Sequence, residues 1–95
     1  MARATFNGTV IAESDQTVVL EGNDYFPPDS LNTDFVREST NTSFCPHKGT
    51  ASYYDVVVDG KTAEGAVWYY PAVNGDYAKD IEGHYAFWNG VTVEA

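Results

Sequence analysis

Short runs of hydrophobic and β-branched residues alternate with polar residues along the chain, and no stretch keeps a helical period. Asn7-Gly8 separates two such runs, and Asp59-Gly60 separates "ASYYDVVV" from "TAEGAVWYY". Both dipeptides readily adopt the positive φ angles of a tight hairpin turn. A third dipeptide of this kind, Asn89-Gly90, lies between "HYAFW" and "VTVE". The pattern therefore predicts three hairpins, and residues 17–22, "TVVLEG", predict a further strand.

Residues 27–42 interrupt the strand pattern. Two consecutive prolines open this segment and end any strand, because proline cannot donate a backbone hydrogen bond. Asp29 or Ser30 would then cap one short helical turn that carries Leu31 and Phe35 inward. The polar residues 40–42 predict a loop. The expected fold is all-β and mostly antiparallel, a coiled sheet or a small barrel-like sheet, with one short helix.

The composition suits one small packed domain that covers residues 1–95, since 43% of the residues are hydrophobic and 15% are aromatic. Fourteen acidic residues stand against five basic ones, for a formal net charge of −9. Binding to nucleic acid or to an anionic membrane needs clustered basic residues, so we expect neither partner. No apolar run approaches the ~20 residues of a membrane span. The single cysteine suits a reducing compartment, and the cytoplasm is the expected location.

The rarest side chains gather in one segment, "SFCPHKGTASYYDV", at residues 43–56. A thiol at Cys45 with His47 and Lys48 close by would have a lowered pKa, which is the condition for a reactive thiolate. The alternative is that the thiol is a small buried apolar group. Lys48 would hold a carboxylate or phosphate of a ligand, or else be a solvated lysine or an ion-pair partner of Glu13.

Aromatic residues cluster on the two strands that Asp59-Gly60 joins. Neighbouring residues on a strand face opposite sides, so residues 53–54 and 68–70 would each place some rings in the core and others outside. The outer rings would form a stacking platform, or they would be half-buried strand residues with hydrated hydroxyls. Asp55 and Asp59 would lie ~13 Å apart, too far to share a metal ion. We predict no metal site and no cofactor.

The segment "CPHKGTASYY", residues 45–54, resembles the signature of the domain-of-unknown-function family numbered 427, also labelled a nucleotidyltransferase family. The resemblance covers nearly the whole chain. The other matching elements are Asn7-Gly8, residues 11–14, Tyr25-Phe26-Pro27, Leu31, residues 66–71, Ile81, Gly83 and Phe87. It implies a compact, mostly antiparallel β domain with a small helix. The label implies nucleotidyl transfer, but the chain lacks the Gly-Ser and paired Asp-x-Asp that would hold the metal ions of that reaction.

The same resemblance implies a shared pocket. Its members are Glu13, Ser14, Tyr25, Cys45, Lys48, Tyr53, Trp68 and Tyr69. The first hypothesis is a binding domain for a small polar or anionic molecule, in which Lys48 anchors the ligand and Glu13 orients it. The second is a small enzyme with Cys45 as nucleophile or acid, Lys48 lowering its pKa and Glu13 as general base. The third is an interaction module without pocket chemistry, for which a homodimer stays open.

Overall fold

The computed structural model describes all 95 residues, and its regular elements are nine β-strands and three single 3-10 turns. The strands are β1 (Ala2–Phe6), β2 (Thr9–Ser14), β3 (Val18–Leu20), β4 (Asn23–Tyr25), β5 (Val36–Cys45), β6 (Gly49–Val58), β7 (Lys61–Tyr69), β8 (Tyr85–Phe87) and β9 (Thr92–Glu94). The 3-10 turns are Pro28–Ser30, Thr33–Phe35 and Lys79–Ile81. Every strand pair is antiparallel, which confirms the all-β prediction.

The strands form three sheets that do not close into a barrel. Their orders are β2-β1-β9, β3-β4 and β5-β6-β7-β8. No helix in the structure has the length and the apolar character needed to cross a membrane.

Two of the three predicted hairpins are present. Asn7 and Gly8 join β1 to β2 with φ angles of 51° and 78°, and Asp59 and Gly60 join β6 to β7 with 50° and 79°. The third prediction was wrong in its pairing. Asn89 does turn the chain with a positive φ of 52°, but β8 pairs with β7 and β9 pairs with β1. The two strands separate because each completes the edge of a different sheet.

The segment after the double proline also differs from the prediction. In place of one short helix there are two 3-10 turns, with the buried Leu31 between them bridging to β2. Asn32 caps the second turn by accepting a hydrogen bond from the backbone N–H of Asp34 at 3.0 Å. The residues predicted as a loop at 40–42 belong to β5 instead. This polar strand pairs with β6 on both sides of a register shift between Glu38 and Thr42, and its side chains are mostly exposed.

Glu21-Gly22 forms a turn that the sequence pattern missed. The strand predicted at residues 17–22 ends at Leu20, and the chain reverses into β4 with φ angles of 53° and 79° at the two turn residues. A non-glycine residue seldom adopts a positive φ, so a glutamate at this position gives little warning of a turn.

The four-stranded sheet has a hydrophobic cluster on each of its faces. The larger cluster joins one face to the three-stranded sheet and includes Ile11, Phe26, Val56, Val67 and Phe87. The smaller cluster covers the other face and consists of Tyr25, Ala51, Tyr70, Ala78, Ile81 and Ala86. The hairpin of β3 and β4 contributes to this second layer.

Candidate functional site

A cleft of about 260 Å³ opens on the face of the smaller cluster. Its lining comes from the β3–β4 hairpin, the turn between β5 and β6, and the strands β6 and β7 with the residues that follow β7 and β8. The lining residues are Glu21, Asn23, Tyr25, Lys48, Tyr53, Trp68, Tyr70 and Trp88. The cleft thus combines one acidic group, one basic group and five aromatic rings.

Lys48 lies in the turn between β5 and β6 and is only 6% exposed. Its backbone N–H donates to the carbonyl of Cys45 at 3.1 Å, and its own carbonyl accepts from the N–H of Asn74 at 3.0 Å. Gly49 follows with a φ of +120°, and a Cβ there would lie 3.1 Å from the carbonyl oxygen of Ala72. Glycine therefore allows the turn to approach the 71–78 segment closely, and this contact fixes the backbone from which the lysine side chain extends.

The ammonium group of Lys48 donates a hydrogen bond to Oε1 of Glu21, and the two form an ion pair. Tyr77 donates to Oε2 of the same carboxylate at 3.0 Å. The hydrogen bonds from Lys48 and Tyr77 lower the pKa of Glu21. Burial disfavours the charged form of Lys48, but the hydrogen bond to Glu21 and the nearby thiol of Cys45 together raise the lysine pKa above its usual range. Both groups are therefore charged at neutral pH.

Cys45 lies beside this pair at the end of β5 and is half-buried. The backbone N–H of His47 and then the ammonium of Lys48 lower the pKa of its thiol, against an opposing effect of burial. The thiol is not among the groups that line the cleft.

The aromatic walls have most of their polar atoms engaged. Trp68 donates its indole N–H to the hydroxyl of Tyr25 at 3.2 Å, and Trp88 donates its own to the carbonyl of Gly65 at 2.7 Å. The hydroxyl of Tyr53 hydrogen-bonds with Ser43 at 2.8 Å. Burial raises the pKa of Tyr25, so its hydroxyl stays protonated. The two indoles thus offer only ring surface to whatever enters.

Adjacent aromatic rings in the cleft stand nearly at right angles. Trp68 and Trp88 have centroids 6.4 Å apart and an interplanar angle of 86°, and Tyr25 and Trp68 have 6.2 Å and 90°. The ring of Tyr70 lies under the Lys48 ammonium, with Nζ 5.8 Å from its centroid. Edge-to-face pairs of this kind are favourable packing contacts, so the rings of the cleft wall support one another.

The structure brings together four of the eight residues expected to share a pocket, with a fifth beside them. Tyr25, Lys48, Tyr53 and Trp68 line the cleft, and Cys45 adjoins it. The remaining three lie elsewhere, as follows. Glu13 is on β2 in an ion pair with Arg3, Ser14 accepts a hydrogen bond from the N–H of Gln16 at 2.9 Å, and Tyr69 packs against Tyr54 and Tyr85.

Sequence reasoning did not single out Glu21, Asn23 or Trp88 as cleft residues, and it placed Tyr70 only among the strand aromatics. The glycine after Glu21 was the one available signal, since it allows the turn that carries the carboxylate to Lys48. No sequence signal indicated Trp88, because the strand before it was expected to pair with the last strand and in fact pairs with β7. No group of three or more His, Cys, Asp or Glu side chains is placed where it could hold a metal ion.

Comparison with known proteins gives one result. A search of curated proteins finds no significant match. Over residues 1–95, however, the sequence matches the family described as a domain of unknown function, DUF427. Residues 45–54 form the turn between β5 and β6 and the first part of β6, at the cleft wall. The chain belongs to the DUF427 family.

Proposed function

We propose that the protein binds a small polar metabolite in the cleft beside the 45–49 turn. The observation that carries the proposal is the placement of a buried, charged lysine in the wall of an aromatic cleft. A lysine is rarely this buried, since an ammonium loses hydration there and must be paired. Lys48 is paired with a glutamate that also lines the cleft, so both charges face the same space.

The proposed site has the make-up of a binding pocket. Ligand pockets are mostly apolar and aromatic, with a few polar groups that fix orientation. Here Lys48, Glu21 and Asn23 supply the polar groups and the five rings supply the apolar surface. The proposal includes a cytoplasmic location, where the single thiol would stay reduced.

The two indole N–H signals in a ¹H–¹⁵N NMR spectrum provide a direct test, because both tryptophans of the chain line the cleft. We would titrate the protein separately with benzoate, inorganic phosphate and glucose. At least one probe, among these or those used below, should shift an indole signal in a saturable way, and Lys48→Met should weaken the binding of any probe that carries a carboxylate or phosphate. Lys79→Met is the matched control, because that lysine pairs with Glu82 on the surface. Absence of a saturable shift with every probe, including those used below, would overturn the proposal.

A thiol-dependent enzyme is the second candidate, and the lowered pKa of Cys45 favours it. Here the thiol would act on a ligand held in the neighbouring cleft. Glu13 lies outside the cleft lining in its ion pair with Arg3, so this candidate rests on Cys45 and Lys48.

Alkylation by iodoacetamide across pH tests the thiol. We expect Cys45 to react in the folded protein with an apparent pKa below the usual ~8.5 of a thiol. Lys48→Met should raise that pKa only in part, since the N–H of His47 remains, and Lys79→Met should leave it unchanged. A thiol that reacts only when the protein unfolds would exclude Cys45 as a nucleophile.

A further inference from the structure

We propose that the ligand is a small zwitterion whose alkylated ammonium group lies among the aromatic rings near Trp68 and Trp88 and whose carboxylate reaches Lys48. This inference rests on the proposed function of the same cleft and names its ligand class. Three features carry it: the faces of the aromatic walls, the charge balance of the cleft, and the remaining donor capacity of the lysine.

The aromatic walls favour a cation over a hydrogen-bonding group. Both indole N–H groups already donate within the protein, so the tryptophans present ring surface alone. Ring faces carry a negative electrostatic potential, and pockets lined by several aromatic rings recur as binding sites for quaternary ammonium groups. The cleft already holds one cation on a ring, since the Lys48 ammonium lies over Tyr70.

The charge balance disfavours a simple anion. The only basic group in the cleft is Lys48, and the carboxylate of Glu21 already neutralises it. The chain as a whole carries a formal charge of −9, which attracts cations and repels anions. A zwitterion leaves the net charge of the cleft unchanged. Its ammonium group would lie against the aromatic rings, and its carboxylate would lie beside Lys48.

Lys48 keeps capacity for a ligand carboxylate. An ammonium has three N–H donors, of which one is donated to Glu21 and another side lies near the Cys45 thiol. Glu21 is held by Tyr77 as well as by the lysine, so a second carboxylate need not displace it. The ligand carboxylate would instead accept the remaining N–H of the Lys48 ammonium.

The size of the cleft limits the ligand. Pockets for drug-sized molecules usually measure roughly 300–1,000 Å³. This cleft, at about 260 Å³, falls below that range. A trimethylammonium group with a short arm ending in a carboxylate is the size of ligand that follows.

Three matched probes test the inference, with the indole N–H signals as readout. Glycine betaine carries both charges, tert-butylacetate has the same shape without the ammonium charge, and tetramethylammonium lacks the carboxylate. We expect betaine to bind about tenfold more tightly than tert-butylacetate, the size of a partly desolvated cation–π contact. Lys48→Met should weaken betaine binding without weakening that of tetramethylammonium.

Trp88→Leu locates the ammonium group. Trp88 is 54% exposed, so the variant should fold, and the Trp68 signal still reports binding. The preference for betaine over tert-butylacetate should shrink toward equality. Phe44→Leu is the control, since it removes an exposed aromatic ring outside the cleft and should preserve the preference.

The outcomes separate this inference from the proposed function. Equal affinity for betaine and tert-butylacetate would overturn the zwitterion and leave the cleft as a binding site. Binding of benzoate, phosphate or glucose without betaine would do the same. A cleft in which none of the probes moves an indole signal would overturn both.

Discussion

The two faces of the β6–β7 hairpin use aromatic residues in opposite ways. Tyr53 pairs with Trp68 in the strand register, so both rings point to the cleft side. Tyr54 and Tyr69, one position further along each strand, point to the other side and stack with centroids 5.1 Å apart. Tyr85 joins them at 5.2 Å from Tyr69.

The two sets of rings differ in what they contact. On the stacked face, the rings contact one another, and Tyr54 and Tyr85 also pack against the larger cluster. On the cleft face, the rings meet edge to face and line an open cleft beside an ion pair. Similar residue types thus pack together on one face and line a cleft on the other, and strand alternation decides which.

The largest expected effect comes from Phe87→Ala compared with Trp88→Ala. Phe87 is 7% exposed and packs edge-on against Phe26, so its truncation should lower the free energy of unfolding by about 3–5 kcal/mol. Trp88, the next residue, is mostly exposed and loses its hydrogen bond to Gly65 and its edge contact with Trp68, which predicts a smaller loss of about 1–2.5 kcal/mol. Urea unfolding of both variants measures the difference. Equal losses would contradict the division between a packed face and a cleft face.

A smaller effect is expected for Tyr69→Phe on the stacked face. Burial, followed by the neighbouring hydroxyl of Tyr54, raises the pKa of Tyr69 to about 12. Removing the hydroxyl near neutral pH should change the free energy of unfolding by less than about 1 kcal/mol. Ultraviolet absorption of tyrosinate should show that the variant has lost the ionisation near pH 12.

The sign of the alkaline effect follows from this raised pKa. The unfolded chain loses the phenol proton at about pH 10, before the folded protein does, so stability falls as the pH rises from about 10 to 12. Tyr69→Phe should make that fall shallower in thermal melts, whereas Tyr77→Phe should leave the Tyr69 ionisation in place. An unchanged alkaline slope in Tyr69→Phe would contradict the assignment.

The effect that depends most on acid pH is expected in the cleft, from Glu21→Gln, which leaves the buried Lys48 ammonium without its carboxylate partner. The pKa of Glu21 is lowered by Lys48 and Tyr77, so its ion pair stabilises the fold above the ordinary carboxyl pKa of about 4.3. That contribution disappears as the pH falls through the lower pKa of the folded protein. The difference in melting temperature between wild type and variant should therefore shrink with acidification.

Glu82→Gln is the comparison for this acid effect. Glu82 also has a lowered pKa, from the backbone N–H of Val73 and from Lys79, but it does not line the cleft. Both variants should show the same sign of pH dependence, and only Glu21→Gln should change ligand binding. A melting difference at Glu21 that stays constant with pH would show that its charge does not stabilise the fold.

The sequence predicted the fold class and family because both depend on local signals. Asn7-Gly8 and Asp59-Gly60 adopt the positive φ angles expected of them, and the strands beside them pair as predicted. Asn89-Gly90 has the same local geometry and yet joins strands of different sheets. A turn dipeptide specifies a change of direction, whereas the pairing partner depends on which edge is free elsewhere in the molecule.

The cleft could be predicted only in part for the same reason. Tyr53 and Trp68 followed from strand alternation, and Lys48 from its position in a glycine-containing turn. The sequence suggested Glu13 as a possible ion-pair partner of Lys48, but the partner is Glu21, twenty-seven positions away. Glu21 lies in a turn and has a positive φ, which is unusual for a glutamate. Contacts between distant segments leave no periodic trace in a single sequence.

The pairing of β1 with β9 constrains the order in which the chain can fold on the ribosome. β1 and β2 emerge first and form a local hairpin, but the second edge of β1 has no partner until β9 is synthesised, after nearly all of the intervening chain. Until then that edge exposes unpaired backbone groups to neighbouring nascent chains. Completion of the three-stranded sheet is therefore a late, non-local event, and we expect it to be slower than formation of the β1–β2 hairpin.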